Sequence, residues 1–191
     1  FRYSPPPKKD HILLLTVGRL LKKKGIQYLI MAMPLILKEH KNVKLMIVGD
    51  GPYKINLIRL VKQLSLQEYV EFRGHVPRYE LPNLYSLSDI YIQPSLYGGF
   101  SASMEAMSCG RPVIATDVDY VTEYVHDGVN GIVIKRADIE TIASSVCRLL
   151  NDEDLRLRMG LNARKYAEEV FDWNRIVRKW HEIYEKIIRG N

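Results

Sequence analysis

Disulfide frameworks, membrane spans and low-complexity tracts all lack the residues they would need in this sequence. Only two cysteines occur, Cys109 and Cys147, far apart in apolar segments and without metal-ligand spacing. They read as buried free thiols in a reducing compartment, with neither a bridge nor a metal site implied. The longest apolar run, residues 26 to 37, is interrupted by Gln27, Tyr28 and Pro34 and falls short of the roughly 20 residues that a membrane span requires. Twelve Gly and nine Pro in 191 residues exclude collagen-like, mucin-like and linker-like sequence. Neither sign of charge dominates. Lys and Arg number 28 against 22 acidic residues, a formal net charge of +6, which suits an anionic ligand. Nucleic-acid binding is not expected, because a basic surface interleaved with aromatics and a recognised motif are both missing. The amino end has no secretion-signal pattern and begins at Phe1 instead of Met, which reads as a cytoplasmic piece of a longer protein.

With 47% hydrophobic and 26% charged residues, the composition is that of a single globular domain, commonly roughly 100 to 200 residues. Residues 1–10, with three consecutive prolines, read as the end of an extended linker, because such a run favours polyproline II and excludes helix. Apolar runs at 12–17, 43–48, 70–73, 89–93, 112–115 and 131–134 alternate with helical patterns at 26–40, 52–65, 101–108, 138–150 and 153–169. Runs such as ILLLTV are apolar on both sides, which argues for a parallel sheet covered by helices on both faces. The expected fold is therefore α/β, with about six strands, over residues 11–170. Pro34 should kink its helix, and Asp138 and Asp152 are expected N-caps. The remaining segment, 171–191, carries a strongly amphipathic helix with Ile176, Val177, Trp180, Ile183, Tyr184, Ile187 and Ile188 on one side. Its first reading is packing on this same domain, its second a reach toward a missing one.

Three loops follow expected strands, where open parallel sheets bind ligands. Residues 18–25 read GRLLKKKG, and Arg19 and Lys24 can grip phosphate oxygens there. The loop is not a Walker A sequence, since no Gly-Lys-Ser/Thr follows. Residues 49–52 read GDGP, with Pro52 expected at the first position of a helix. Residues 95–101 read SLYGGFS, in which two glycines and the start of a helix form an anion site, with Ser101 as the expected N-cap. Glu105, one turn further, can accept from sugar hydroxyls or stand as an ordinary surface residue. His40, His126 and His181 are expected to be exposed.

The order and spacing of these segments resembles the C-terminal domain of the retaining glycosyltransferases of family 4, which have the GT-B fold. The resemblance rests on residues 17–25, on Val48 to Pro52, on VEFRGHV from Val70 to Val76, and on Leu81 through Ser95. It rests too on EAMSCGRPVIAT from Glu105 to Thr116 and on DGVNG from Asp127 to Gly131. It implies a Rossmann-like domain that binds a nucleotide-diphosphate sugar (UDP-, GDP- or ADP-linked). Arg19 and Lys24 would stabilise the leaving diphosphate, and Glu105 would hold ribose hydroxyls. Gly18, His75, Val76, Leu81, Tyr97, Gly98, Gly99, Phe100 and Ser101 would contact the donor, with no metal and no further cofactor. It also implies a missing N-terminal acceptor domain, a glycan or lipid-linked acceptor at the cytoplasmic face of a membrane, and no sugar transfer by this chain alone.

Two departures accompany the resemblance. The family has two glutamates separated by seven residues, and the position of the first holds Tyr97 or Gly98 here, neither acidic. Asp119-Tyr120 replaces a common Gly-Gly. A catalytically silent nucleotide-binding module is therefore the alternative expectation.

Overall fold

Burial on both sides is what the run ILLLTV demands, and the structure, a computed structural model, provides it at the centre of a six-stranded parallel sheet. It describes residues 1–3, 5, 7 and 9–190. Ser4, Pro6 and Lys8 of the expected linker, and Asn191, lie outside the described residues. The strands are β1 (Ile12–Val17), β2 (Val43–Val48), β3 (Val70–Gly74), β4 (Ile90–Gln93), β5 (Val113–Thr116) and β6 (Gly131–Ile134). Their order is β3-β2-β1-β4-β5-β6, all parallel. The Rossmann-like expectation therefore holds, and the order reverses direction between β1 and β4. Leu14 pairs with Leu45 on one side and Ile90 on the other.

The helices are α1 (Ile26–Glu39), α2 (Lys54–Gln63), α3 (Leu81–Leu87), α4 (Phe100–Ser108), α5 (Ile139–Asn151), α6 (Glu153–Val170) and α7 (Trp173–Arg189). Side chains alternate along a strand, so neighbours on β1 serve opposite cores. Leu14 joins Leu29, Ile30, Met33, Leu57 and Val146 of α1, α2 and α5. Leu15 joins Tyr85, Ala106, Met107, Ala163 and Ala167 of α3, α4 and α6. Both cysteines are buried and free. No helix among the described residues is long and apolar enough to cross a membrane.

Local chemistry sets most element boundaries. Asp138 accepts from Thr141 N at 2.9 Å and Asp152 from Leu155 N at 2.8 Å, the two expected caps. Pro34 stands on the exposed side of α1, which continues to Glu39 without a break. Pro34 has no N–H to donate to Ile30 O, and the helix carries that one missing bond without ending. Two expectations fail, and one helix is not anticipated. Pro52 lies in a turn before α2, because Tyr53 N is drawn to Leu20 O at 3.0 Å and regular helix begins only at Lys54. α3 is a seven-residue helix, too short for a periodic signal. α7 does not pack on this domain: none of its residues is buried, and Trp173, Trp180 and Ile188 are 72%, 54% and 83% exposed.

The loop after β1 is held from both sides by neighbouring backbone. Gly18 N donates to Val48 O and Leu20 N to Asp50 O, each at 2.9 Å, and Leu96 N donates to Lys23 O at 2.8 Å. Leu20 is fully buried, while Arg19 beside it is exposed. The closest approach is at Gly25, with φ +68°, where a Cβ would stand 1.7 Å from Pro94 O. We expect Gly25→Ala to lower the unfolding free energy by about 2–5 kcal/mol, the sum of a left-handed penalty and an overpacking penalty. Gly74→Ala, at φ +74° with open space around the new methyl, should cost only the backbone part, about 1–2 kcal/mol. Urea denaturation of the two variants checks this, and equal losses would contradict the close approach.

Candidate functional site

The carboxyl ends of β1, β2 and β4 open onto two adjoining cavities that share Val17 and Gly18. One, of about 290 Å³, is lined by Arg19, Asp50, His75, Val76 and Leu81 among others. The other, of about 20 Å³, is lined by Lys24, Gln93, Pro94, Ser95 and Gly99 among others. Arg19 and Lys24 thus stand on either side of Gly18. The inward anchor at Leu20 turns Arg19 to solvent, and the three-residue 3-10 turn Lys22–Lys24 sends Lys24 toward α4.

Lys24 lies against bare backbone. A Cβ on Gly99, at φ +106°, would stand 2.5 Å from Lys24 Nζ and 3.2 Å from Ser95 Oγ. The ammonium therefore sits directly before the first turn of α4, where amide N–H groups lack intrahelical acceptors and the helix dipole is positive. Neither Arg19 nor Lys24 makes an ion pair or side-chain hydrogen bond among the described residues. Burial, and then the nearby Lys23 ammonium, push Lys24 below the ordinary lysine range, while the Asp119 carboxylate pulls it back. Unpaired positive charge beside free helix amides is an arrangement that an anion completes.

Buried polar groups line the same place. Gln93, 3% exposed, accepts from Ser103 Oγ at 2.6 Å through Oε1, while its Nε2 has no partner among the described residues. The sequence does not single out Gln93, because a glutamine at a strand end carries no spacing signal, and Ser95 enters it only as the first residue of the 95–101 loop. In the sequence Asp119 stands out only as a departure from Gly-Gly. It takes a left-handed conformation, φ +51°, and its Oδ2 accepts from the Gly98 amide.

The remaining candidates lie around this centre without lining either cavity. Glu105 is mostly buried and not an ordinary surface residue. Its Oε2 accepts from the Tyr85 hydroxyl at 3.0 Å, and Arg78 approaches its Oε1 at 3.5 Å. Burial keeps the Tyr85 phenol protonated far above its usual range, so it acts as a fixed donor to Glu105. Tyr97 is exposed beneath the Arg136 guanidinium, 5.5 Å from its ring centre. Phe100 packs edge-on to Tyr124. Ser101 is not the N-cap: Gly99, in the left-handed region, starts α4 at Phe100, one residue early. His126 and His181 are exposed, as expected, but His40 is half-buried with Nε2 unpartnered among the described residues. Glu39, His40 and Cys147 bring ligand atoms within 4.8 Å of one another, but beside Ile12 and Val43 at the opposite end of the sheet. A wider cavity, about 570 Å³ between Phe1, Ser108 and the end of α6, also lies away from the strand ends.

The sequence model of the family described as "Glycosyl transferases group 1" matches residues 1–166. An uncharacterised glycosyltransferase of Methanocaldococcus jannaschii is 37% identical over 97% of this chain and 47% of its own length. The chain spans about half the length of the curated relatives it matches. Among solved structures, Alr3699/HepE of Anabaena in complex with UDP and glucose superposes with a TM-score of 0.84 at 25% identity, covering 92% of this chain and 48% of that one. The C-terminal domain of LpcC, a group 1 family protein of Francisella tularensis, gives 0.80 at 25% identity, covering 88% of this chain and 96% of that one.

Holding Lys24 charged costs stability. The unfolded chain binds its proton more tightly than the folded one, so stability rises with pH between the lowered folded value and the ordinary lysine value. Lys24→Met should therefore raise the thermal midpoint at pH 7, and the gain should shrink at pH 10. A midpoint below wild type at pH 7 would contradict an unpaired, partly buried ammonium.

Proposed function

The chain belongs to the group 1 glycosyltransferases, and we propose that it forms their donor-binding half, holding a nucleotide-diphosphate sugar at the carboxyl ends of β1, β2 and β4. The observation that carries this reading is the Lys24 ammonium lying on Gly99 at the start of α4, with Arg19 on the other side of Gly18. The diphosphate meets Lys24 and the first-turn amides of α4, and Arg19 approaches it from the neighbouring cavity. His75, Val76 and Leu81 line the wider cavity, which suits the flat faces of a base. Glu105, oriented by the Tyr85 hydroxyl, accepts from ribose hydroxyls. UDP and glucose in the Anabaena neighbour support a nucleotide-sugar ligand.

In the full-length protein the reaction breaks the bond between the anomeric carbon and the diphosphate oxygen, and the electron pair leaves with the diphosphate. Arg19 and Lys24 stabilise the charge that develops there, and a fixed cation in a partly dry site contributes most at that moment. The hexosyl unit passes to a glycan or lipid-linked acceptor with retention of configuration. The acceptor site belongs to a second half of the protein, against which the apolar side of α7 rests. The isolated chain binds donor without transferring sugar.

Calorimetric titration with UDP, GDP and ADP tests the reading. One of the three should bind, and Lys24→Ala or Arg19→Ala should weaken it by about tenfold or more, the scale of one charge-assisted hydrogen bond. Unchanged affinity in both variants would place the phosphates elsewhere. Binding without turnover by the full-length protein would indicate a catalytically silent module.

A further inference from the structure

The resemblance calls for a carboxylate ahead of the Gly-Phe pair, and the sequence supplies Gly98 there. The fold brings a carboxylate to that point from a different loop. Asp119 follows β5, the strand next to β4, and its Oδ2 accepts a hydrogen bond from the Gly98 amide. The same oxygen lies 3.8 Å from where a Cβ on Gly98 would stand. A methyl at position 98 would meet the end of the Asp119 side chain at ordinary van der Waals distance, so the carboxylate lies beside the place where a side chain at 98 would begin.

Three further features fit that relocation. Asp119 keeps a left-handed backbone, φ +51°, at a place where the family often has glycine; aspartate is among the few other residues that tolerate it. Its Oδ1 makes no hydrogen bond among the described residues, and the residue is exposed, beside Gly98 and not in the lining of either cavity. Lys24 is near enough to feel its charge, so carboxylate and ammonium belong to one electrostatic unit.

We propose that Asp119 is the sugar-reading residue of this site, its carboxylate accepting hydrogen bonds from hydroxyls of the donor's hexosyl unit. The inference rests on the donor-binding reading. A carboxylate repels phosphate, so the part of the ligand it can face is the part that donates hydrogen bonds, and in a nucleotide sugar near the diphosphate those donors are the sugar hydroxyls. Gly98, having no side chain, leaves them room to approach. Because the carboxylate comes from the β5 side, it decides which hydroxyls are read.

The test compares, by calorimetry on the full chain, each nucleoside diphosphate (UDP, GDP, ADP) with its sugar conjugate (UDP-glucose, GDP-mannose, ADP-glucose). Asp119→Gly suits the left-handed backbone and removes the carboxylate. It should weaken binding of the matching sugar conjugate about ten- to a hundredfold, while the bare diphosphate stays within about threefold. Asp119→Asn keeps size and backbone tolerance, and should weaken only the sugar conjugate, by less. Thermal denaturation establishes that each variant is folded. Equal losses for both ligands would overturn the proposal in favour of a purely structural tie to Gly98, and equal gains would overturn it in favour of a carboxylate that blocks the anion site. A variant series with no change for the sugar conjugate would overturn it too. If the wild-type chain binds none of the six ligands, the donor-binding reading itself fails.

Discussion

A backbone-to-backbone approach that no side chain permits underlies the crevice. The loop after β1 lies between the loops after β2 and β4, and at Gly25 it comes so near Pro94 O that an added Cβ would overlap it. Hydrogen bonds from Gly18 and Leu20 to β2-side carbonyls, and from Leu96 to Lys23 O, hold it from both sides. Lys24 is consequently delivered to the start of α4 by fixed backbone and not by a flexible stem alone. Preorganised charge of this kind needs little rearrangement when a ligand arrives.

The same rigidity leaves the charges unsatisfied. Lys24 is partly buried, next to Lys23, and only the Asp119 carboxylate works against the cost. Glu105 is treated differently, since the Tyr85 hydroxyl fixes it and Arg78 stands nearby. One group is thus held ready for a partner and the other is already oriented. Sites that bind charged ligands commonly give up stability for such readiness.

Many residues that make the sequence recognisable do not touch the crevice. Asp89 accepts from Leu13 N at 2.7 Å and pairs with Lys9, fixing β1 against β4. Arg111, fully buried, donates to Ser88 O and Cys109 O. Asn130 accepts from His126 N and donates to Tyr124 O, and Asp127 accepts from Val133 N, together forming the turn into β6. Their value is in satisfying backbone groups, each of which, where it is buried, otherwise costs about 1–3 kcal/mol. The family resemblance is therefore largely a resemblance of folding pegs, and it carries fold further than it carries substrate.

Periodicity alone determined the six strands, the two-faced sheet and the positions of the long helices, because burial on both faces of a strand and on one face of a helix is written in every second or every third to fourth residue. Spacing and resemblance singled out Arg19, Lys24 and Gly99. What only the tertiary structure decided is what each touches. Leu20 turning inward leaves Arg19 outside, Gly99 rather than Ser101 opens α4, and α7 leaves exposed the apolar side that its pattern offers for burial. The carboxylate beside Gly98 comes from Asp119, 21 residues along the chain. No local pattern encodes that last pairing, because it follows from β5 lying beside β4, and adjacency between strands is set by the packing of the whole sheet.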